Sequence, residues 1–133
     1  MSVSKIVRKV ISTTKAPAAI GAYSQAVQVD QTLYVSGQIG LSPETSDFVG
    51  SDVESQTEQA LKNMGEILSA ANMSFADVVK TTVLLADIQD FARVNTVYQK
   101  FFKAPYPARA AYAAANLPKL ARVEIEAIAV SSD

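Results

Sequence analysis

The stretch that decides the fold is residues 121–130, which read Ala-Arg-Val-Glu-Ile-Glu-Ala-Ile-Ala-Val. Side chains of a β-strand point alternately to opposite faces, so this segment has one uniformly apolar face, made of Val123, Ile125, Ala127 and Ala129. The other face combines charged and apolar side chains, namely Arg122, Glu124, Glu126, Ile128 and Val130. We therefore predict a strand whose first face packs in the core. Its second face is either ordinary solvent-facing surface or part of a functional site.

Similar patterns predict five further strands, over residues 7–11, 24–29, 32–36, 78–86 and 108–115. The second and third of these flank Asp30-Gln31 and are expected to form a hairpin. The fourth is rich in Val, Thr and Leu, which is typical of a strand covered on both faces. The fifth is expected to pair with residues 121–130 across the short segment Leu117-Pro118-Lys119, as the last strand pair of the chain.

Two segments have the apolar spacing of helices. The first spans residues 53–71, where Ser51 and Glu54 fit the capping-box pattern and Asn72 is a natural stop. The second spans residues 88–102, with Asp87 as its cap and a stripe of apolar side chains that includes Ile88, Phe91, Val94, Tyr98, Phe101 and Phe102. Pro105 limits its extension, because proline cannot continue a helix.

The order of elements is strand, hairpin, helix, strand, helix and strand pair. This order predicts an α+β fold, a mixed sheet of six strands with two helices packed on one face. The sequence contains no internal repeat, low-complexity tract or linker, so we expect one domain over residues 1–133.

The chain contains no cysteine and no histidine, which excludes several classes of function. Thiol nucleophiles, Cys/His metal sites and a Ser-His-Asp triad are all ruled out. Proton transfer must be carried out by Asp, Glu, Lys, Tyr or water. A metal site made only of carboxylates stays open, although no EF-hand or P-loop pattern occurs. We expect no metal and no cofactor.

Charge is balanced overall but uneven along the chain. The net charge is −1, which gives no electrostatic sign of a nucleic-acid partner, and no apolar run is long enough for a membrane helix. Four basic residues, Lys5, Arg8, Lys9 and Lys15, precede the first acid, Asp30. We interpret this start as an ordinary first strand and expect a cytoplasmic protein; a mitochondrial presequence is the alternative. Hydrophobic residues make up 49% of the chain, and this surplus suggests a subunit interface.

Arg109 is the clearest candidate for binding a ligand. It lies in a segment almost free of charge, just after Pro107-Ala108 and before a run of small residues that let a ligand or another backbone approach. Three functions are open for it: a structural salt bridge, a subunit contact or a carboxylate clamp. The planar guanidinium fork suits the last, because it can bind both oxygens of a carboxylate.

Two glycine-containing patches are further candidates. In residues 19–25, Gly21 permits an unusual turn and Tyr23 then stands at the entrance of a strand. In residues 34–39, Gly37 follows Ser36 near the end of a strand, where backbone N–H groups could face an anion. Each patch alone is equally consistent with a turn glycine beside a packed tyrosine.

Together these segments resemble one family. Ala19-Ile20-Gly21-Ala22-Tyr23-Ser24-Gln25, Ser36-Gly37-Gln38-Ile39, Pro107-Ala108-Arg109 and Val123-Glu124-Ile125-Glu126 are similar to the motifs of the RidA family, also called YjgF. The resemblance covers residues 10–130. It implies a chorismate-mutase-like fold of the bacillus type and a homotrimer with a barrel-like core, whose three sites lie in clefts between subunits. It also implies a cofactor-free deaminase that hydrolyses reactive 2-imino acids and their enamines, such as 2-iminobutanoate and 2-iminopropanoate, to 2-oxo acids and ammonia.

The resemblance also implies roles for individual residues. Arg109 would pair with the substrate carboxylate, Glu124 would activate the attacking water, and Tyr23 would help to place the substrate. The substrate would also be bound by Ser36, Gly37, Asn95 and Ala111. Many relatives have proline where this chain has Ala22, which makes the turn before Tyr23 less rigid. Many bacterial relatives have cysteine where it has Ala111, so no thiol can act there.

Two other functions stay open at this level. One is an RNA-cleaving translation inhibitor, although the sequence offers no histidine and no basic stripe for RNA. The other is a non-catalytic trimer that binds small carboxylates or acts as a holdase. Arg109 is needed in the binding protein as well as in the deaminase, whereas Glu124 is needed only in the deaminase.

Overall fold

The fold is a single six-stranded sheet with two helices on one face, as described by a computed structural model for residues 5–132. In chain order the elements are β1 (Arg8–Ile11), β2 (Ala26–Val29), β3 (Thr32–Gln38), α1 (Val53–Ala70), β4 (Val78–Leu85), α2 (Phe91–Phe101), β5 (Ala108–Ala113) and β6 (Val123–Val130). The α+β prediction is confirmed, including the β2–β3 hairpin, whose turn residue Asp30 has φ of 52°.

The strand order is β1-β2-β3-β6-β4-β5, which contradicts one predicted pairing. The last two strands are not neighbours. Strand β6 lies between β3 and β4 and is antiparallel to both, whereas β5 pairs in parallel with β4 at the edge of the sheet. The cause is the connection through α2: a helical crossover returns the chain in the same direction, and it therefore produces a parallel pair.

Helix α1 packs its apolar side on β3 and β6. Its predicted capping box is wrong: Asp52, and not Ser51, is the N-cap, and the Asp52 carboxylate accepts a hydrogen bond from the Ser55 N–H at 2.9 Å. Ser51 and Asp52 are adjacent, and both residue types are common N-caps, so the spacing in the sequence did not decide which of them caps α1. The predicted stop is confirmed, since Asn72 takes a left-handed conformation with φ of 58°.

Helix α2 begins three residues later than predicted, after a short 3-10 turn, Ile88–Asp90. The Asp87 carboxylate accepts a hydrogen bond from the Gln89 N–H at 2.9 Å, so the predicted cap acts on this turn, whereas the N-cap of α2 itself is Asp90, whose side chain makes no capping bond. Val94, Tyr98 and Phe102 are buried, and Phe91 and Phe101 are half-buried against the same core. Ile88 does not belong to this stripe, because the 3-10 turn rotates it outward and leaves it 50% exposed. No helix in residues 5–132 is both long and apolar enough to cross a membrane.

The face of the sheet opposite the helices is uncovered in the single chain. In β6 the alternation is as predicted: Val123, Ile125, Ala127 and Ala129 are buried, while Glu124 and Ile128 are half-buried and Glu126 is exposed. The prediction that β4 is covered on both faces is wrong for the chain alone, because both helices pack on the same side. Several large apolar side chains of this open face, Tyr34, Tyr112 and Val130, are exposed.

Candidate functional site

A cavity of about 540 Å³ opens on the uncovered side of the sheet, beside Glu124. The structure brings four of the predicted site residues together in its wall, Tyr23, Ser36, Gly37 and Glu124. Apolar side chains such as Ile20, Ile39 and Leu41 line much of the rest, and Lys119 and Glu126 complete its charged lining. Segments far apart in the sequence therefore converge on one carboxylate.

Gly37 makes room for that carboxylate. Strand β3 has one more residue than β6 between the pairs Val35↔Ala127 and Gln38↔Ile125, which is a β-bulge at Ser36-Gly37. A Cβ atom at Gly37 would lie only 2.7 Å from Cδ and 2.9 Å from Cγ of Glu124. The bare Gly37 backbone thus lets the Glu124 side chain lie across β3. The sequence predicted only that Gly37 lies near the end of a strand. Its close contact with Glu124 explains why a residue without a side chain is needed there.

Glu124 is half-buried, and within residues 5–132 its carboxylate has no hydrogen-bond or ion-pair partner. Burial raises the pKa of this carboxyl above its usual range, because the charged form loses hydration. Repulsion from Glu126, two residues along the same strand face, raises the pKa further. A carboxylate in this state is a stronger base than a solvated one, and it is free to act on a molecule in the cavity.

The Tyr23 segment is held by a residue that sequence analysis did not single out. Gln25 is 4% exposed; its side chain accepts a hydrogen bond from Thr13 N–H at 2.7 Å and donates to the carbonyls of Thr13, Ala16 and Pro17. A buried amide whose donors and acceptor are all used fixes the loop it binds. Gln25 was part of the quoted motif, but no pattern in the sequence distinguishes its structural function from that of an ordinary polar residue before a strand.

Ser36 contributes to the same arrangement. Its hydroxyl donates to the Ser24 carbonyl at 2.6 Å, and its N–H donates to the Gln25 carbonyl at 3.0 Å. Gly21 has φ of 139°, which confirms the unusual turn expected before Tyr23, and the Tyr23 side chain is 52% exposed at the cavity. Ser36 therefore also ties β3 to the segment that presents Tyr23.

Arg109 lies against α2 in a separate, smaller cavity of about 360 Å³. Its Nη1 donates a hydrogen bond of 2.8 Å to Oδ1 of Asn95, so this predicted site residue contacts the arginine. The guanidinium carbon lies 4.8 Å from the centre of the Tyr98 ring and 5.2 Å from that of Phe91. Among residues 5–132 no carboxylate pairs with Arg109, which leaves its charge available for an anion.

Arg109 and Glu124 are on opposite faces of the sheet. Arg109 pairs with Thr81 of β4, which is buried beneath Tyr98, whereas Glu124 pairs with Leu84, three residues further along that strand. Directly paired residues share a face, and residues three apart in a strand do not. Within one chain the two predicted functional groups consequently cannot reach the same small molecule.

Ala111 lies on edge strand β5 near Arg109. The Ala114 N–H donates to the Leu85 carbonyl of β4 at 2.9 Å. Since backbone polar groups alternate sides along a strand, the N–H and C=O of Ala111 point away from β4, toward the open edge. They are therefore available to a ligand or to another chain. In residues 5–132 no three His, Cys, Asp or Glu side chains are grouped to hold a metal ion.

Comparison with known proteins shows close relatives. The family model described as Endoribonuclease L-PSP matches residues 13–131. A rat protein named 2-iminobutanoate/2-iminopropanoate deaminase is 64% identical over 127 residues, which are 96% of this chain and 93% of the relative. The crystal structure of the Escherichia coli YjgF gene product covers 92% of this chain and 98% of its own, at 46% identity and a TM-score of 0.88. The crystal structure of Escherichia coli TdcF with bound serine covers 93% of this chain and 99% of its own, at 43% identity and a TM-score of 0.89.

Proposed function

The chain belongs to the Endoribonuclease L-PSP family, the RidA family that its motifs resemble, and from this membership we propose that it is a 2-imino-acid deaminase. It hydrolyses 2-iminobutanoate, 2-iminopropanoate and their enamine tautomers to 2-oxo acids and ammonia. The observation that carries the proposal is the 64% identity, over nearly the whole of both chains, with the rat deaminase. The Glu124 carboxylate in its cavity, which has no partner in the described part of the chain, supports it independently.

The working form in this proposal is a homotrimer with its sites between subunits. Arg109 and Glu124 occupy opposite faces of one sheet, so the two groups meet only when Arg109 of one chain approaches Glu124 of the next. The uncovered face of the sheet, with its exposed apolar side chains Tyr34, Tyr112 and Val130, and the open edge of β5 supply surfaces for such an assembly. The serine bound to TdcF supports a ligand of amino-acid size.

In the mechanism we propose, Arg109 holds the substrate carboxylate through paired hydrogen bonds, and Glu124 removes a proton from a water beside the imine carbon. The water oxygen bonds to that carbon, and the electrons of the C=N bond move to nitrogen, which takes the first water proton from Glu124. The ionised Glu124 then accepts the proton of the new hydroxyl and passes it to the same nitrogen, as the hydroxyl becomes a carbonyl and the C–N bond breaks. Both protons of the water thus reach nitrogen, so one imine and one water give one 2-oxo acid and one ammonia.

The remaining site residues place the reactants in this scheme. Tyr23 lines the cavity and would contribute its hydroxyl to placing the substrate, and the bulge at Ser36-Gly37 sets the position of the Glu124 carboxyl. Asn95 orients Arg109, and the backbone of Ala111 faces the cleft from the edge strand. A raised pKa suits Glu124 for this work, because the same group must accept a proton and later donate it.

The test is a coupled assay in which a threonine dehydratase generates the imine and formation of the 2-oxo acid is followed with and without the protein. Arg109→Ala should abolish the acceleration and the binding of 2-oxobutanoate. Glu124→Ala should bind 2-oxobutanoate normally but turn over roughly 10²–10⁴-fold more slowly, which is the usual contribution of a general base. Glu58→Ala removes an exposed carboxylate from the far side of the sheet and serves as the matched control.

The alternatives give different results in this assay. Wild-type rates in Glu124→Ala would contradict the mechanism, and no acceleration by the wild-type protein would favour the carboxylate-binding or holdase trimer. We do not propose RNA cleavage, although the family description names an endoribonuclease, because the sequence has no histidine for acid–base catalysis and no basic stripe that could bind the phosphate backbone of RNA.

We also propose that the protein works in the cytoplasm. Arg8 and Lys9, which gave the start its resemblance to a presequence, form part of β1 and pair with β2. They therefore belong to the sheet itself. Fractionation of the source cells tests this location against the mitochondrial matrix.

A further inference from the structure

Arg109 is surrounded by three side chains of α2, Phe91, Asn95 and Tyr98, which lie four and three residues apart on one face of the helix. We propose that Phe91 and Tyr98 are positioning residues for the carboxylate clamp: their rings hold the plane of the Arg109 guanidinium so that its free N–H edge faces the substrate. The inference rests on the proposed function, since it assigns these rings to the residue that binds the substrate carboxylate.

Two ring contacts and one hydrogen bond occupy only part of the Arg109 guanidinium. The Tyr98 and Phe91 rings lie 4.8 and 5.2 Å from its central carbon, within the range of cation–π attraction. Asn95 accepts a single hydrogen bond from Nη1. Ring contacts leave the N–H groups of an arginine free, so the other N–H groups can still bind a carboxylate as a fork.

The Tyr98 ring is itself rigidly fixed. It is 3% exposed, it stacks on Phe102 with ring centres 4.4 Å apart, and its hydroxyl shares a 2.8 Å hydrogen bond with Thr81. Thr81 is also the residue directly paired with Arg109 across β4 and β5. The strand pair thus fixes the backbone of Arg109 and the ring beneath its side chain at the same point.

The aromatic side chains around Arg109 indicate that its ligand is an anion. A structural arginine would be held by a carboxylate, which would neutralise its charge and occupy its fork. The chain does this elsewhere: Arg93 and Arg122 both pair with Asp90, a residue that is 3% exposed. Within residues 5–132, Arg109 is held without a carboxylate partner, so its full charge remains for a substrate carboxylate.

Phe91→Leu is the decisive variant, because it removes the π face from a half-buried side chain. We expect Kd for 2-oxobutanoate, measured by calorimetry, and KM for the imine to rise by roughly 2- to 5-fold, which corresponds to the attraction expected of one exposed cation–π contact. The kcat should stay near the wild-type value, since the carboxylate is bound equally in ground and transition states. Phe91→Tyr keeps a ring and should restore both constants.

Phe101→Leu is the matched control. It makes the same change on the same helix, at a half-buried ring that contacts Phe75. It should leave both constants unchanged, whereas an equal loss there would overturn the inference. If Phe91→Leu does not fold, Phe91→Met fills the same space without a π face and should give the same weakened binding.

Retention of wild-type 2-oxobutanoate binding in the folded Phe91 variants would overturn the inference, and so would failure of the wild-type protein to bind 2-oxobutanoate. The proposed function fails separately, through the absence of imine hydrolysis. In that case the binding titrations still decide whether the rings position Arg109.

Discussion

Replacing Gly37 by alanine tests whether the bulge in β3 exists to place the Glu124 carboxyl. Gly37 does not have a left-handed conformation, so the backbone accepts alanine without strain. The new methyl group instead meets Glu124, whose Cδ would lie 2.7 Å away. Carbon atoms in contact prefer a separation of about 3.5–4.0 Å, so the carboxyl must move by roughly 1 Å.

A displacement of that size has a large effect on catalysis and a small one on stability. Misplacing a catalytic group by about 1 Å can lower the rate by roughly 10²-fold, and we expect kcat of Gly37→Ala to fall by about that factor. The fold should tolerate the change, because the Glu124 side chain is flexible. Alanine also lowers the entropy of the unfolded chain, which offsets part of any loss by about 0.4–1 kcal/mol.

The assay is the coupled imine hydrolysis, accompanied by thermal unfolding and 2-oxobutanoate titration of each variant. Gly37→Ala should bind 2-oxobutanoate and unfold near the wild-type temperature, yet turn over slowly. In a Glu124→Ala background the same substitution should cost almost nothing further, because the group it displaces is gone. Wild-type turnover in Gly37→Ala, or an additional full loss in the double variant, would refute the assignment of this glycine to Glu124.

Two further predictions concern stability. The pKa of Glu124 is raised in the folded state, so this carboxyl lowers the stability of the fold as pH rises through its folded pKa. Glu124→Gln removes the charge and should therefore unfold at a higher temperature than wild type at pH 7. Below about pH 4, where the carboxyl is protonated in both states, the two proteins should unfold at the same temperature. A wild-type advantage at pH 7 would show that burial is not the dominant influence on this group. Leu120 has φ of 58° and is 82% exposed, so Leu120→Gly should stabilise the chain by roughly 0.5–1 kcal/mol in urea unfolding. Leu120→Ala removes the same exposed side chain but keeps the strain, and a gain as large as that of Leu120→Gly would refute the strain explanation.

The sequence predicted the elements well because local patterns report local geometry. The period of two in β6 identified its buried and open faces, and helical spacing located α1 and α2. The predictions failed where a choice depended on neighbours. Asp52 caps α1 although Ser51 fits the pattern, and Ile88 points outward because a 3-10 turn precedes α2.

The same contrast holds for the candidate site: residue types could be predicted from the sequence, but contacts with distant segments could not. Residue chemistry and family resemblance named Arg109, Glu124, Tyr23, Ser36 and Gly37, and the structure brings the last four into one cavity. Gln25, which holds the Tyr23 segment, was missed because its importance lies in four hydrogen bonds to a loop that no pattern linked to it.

The sequence by itself determined which chemistry is possible. The chain has no histidine or cysteine, so proton transfer depends on carboxylates and other groups, and it has one arginine in a charge-poor strand and a glutamate on the mixed face of another. Only the tertiary structure decided where these groups lie. Alternation fixes the two faces of each strand separately, but the relation between two strands depends on their order and register in the sheet. Arg109 pairs with Thr81 and Glu124 with Leu84 of the strand between them, β4, and these partners lie three residues apart, so the two groups fall on opposite faces. A site that uses both therefore requires more than one copy of the chain.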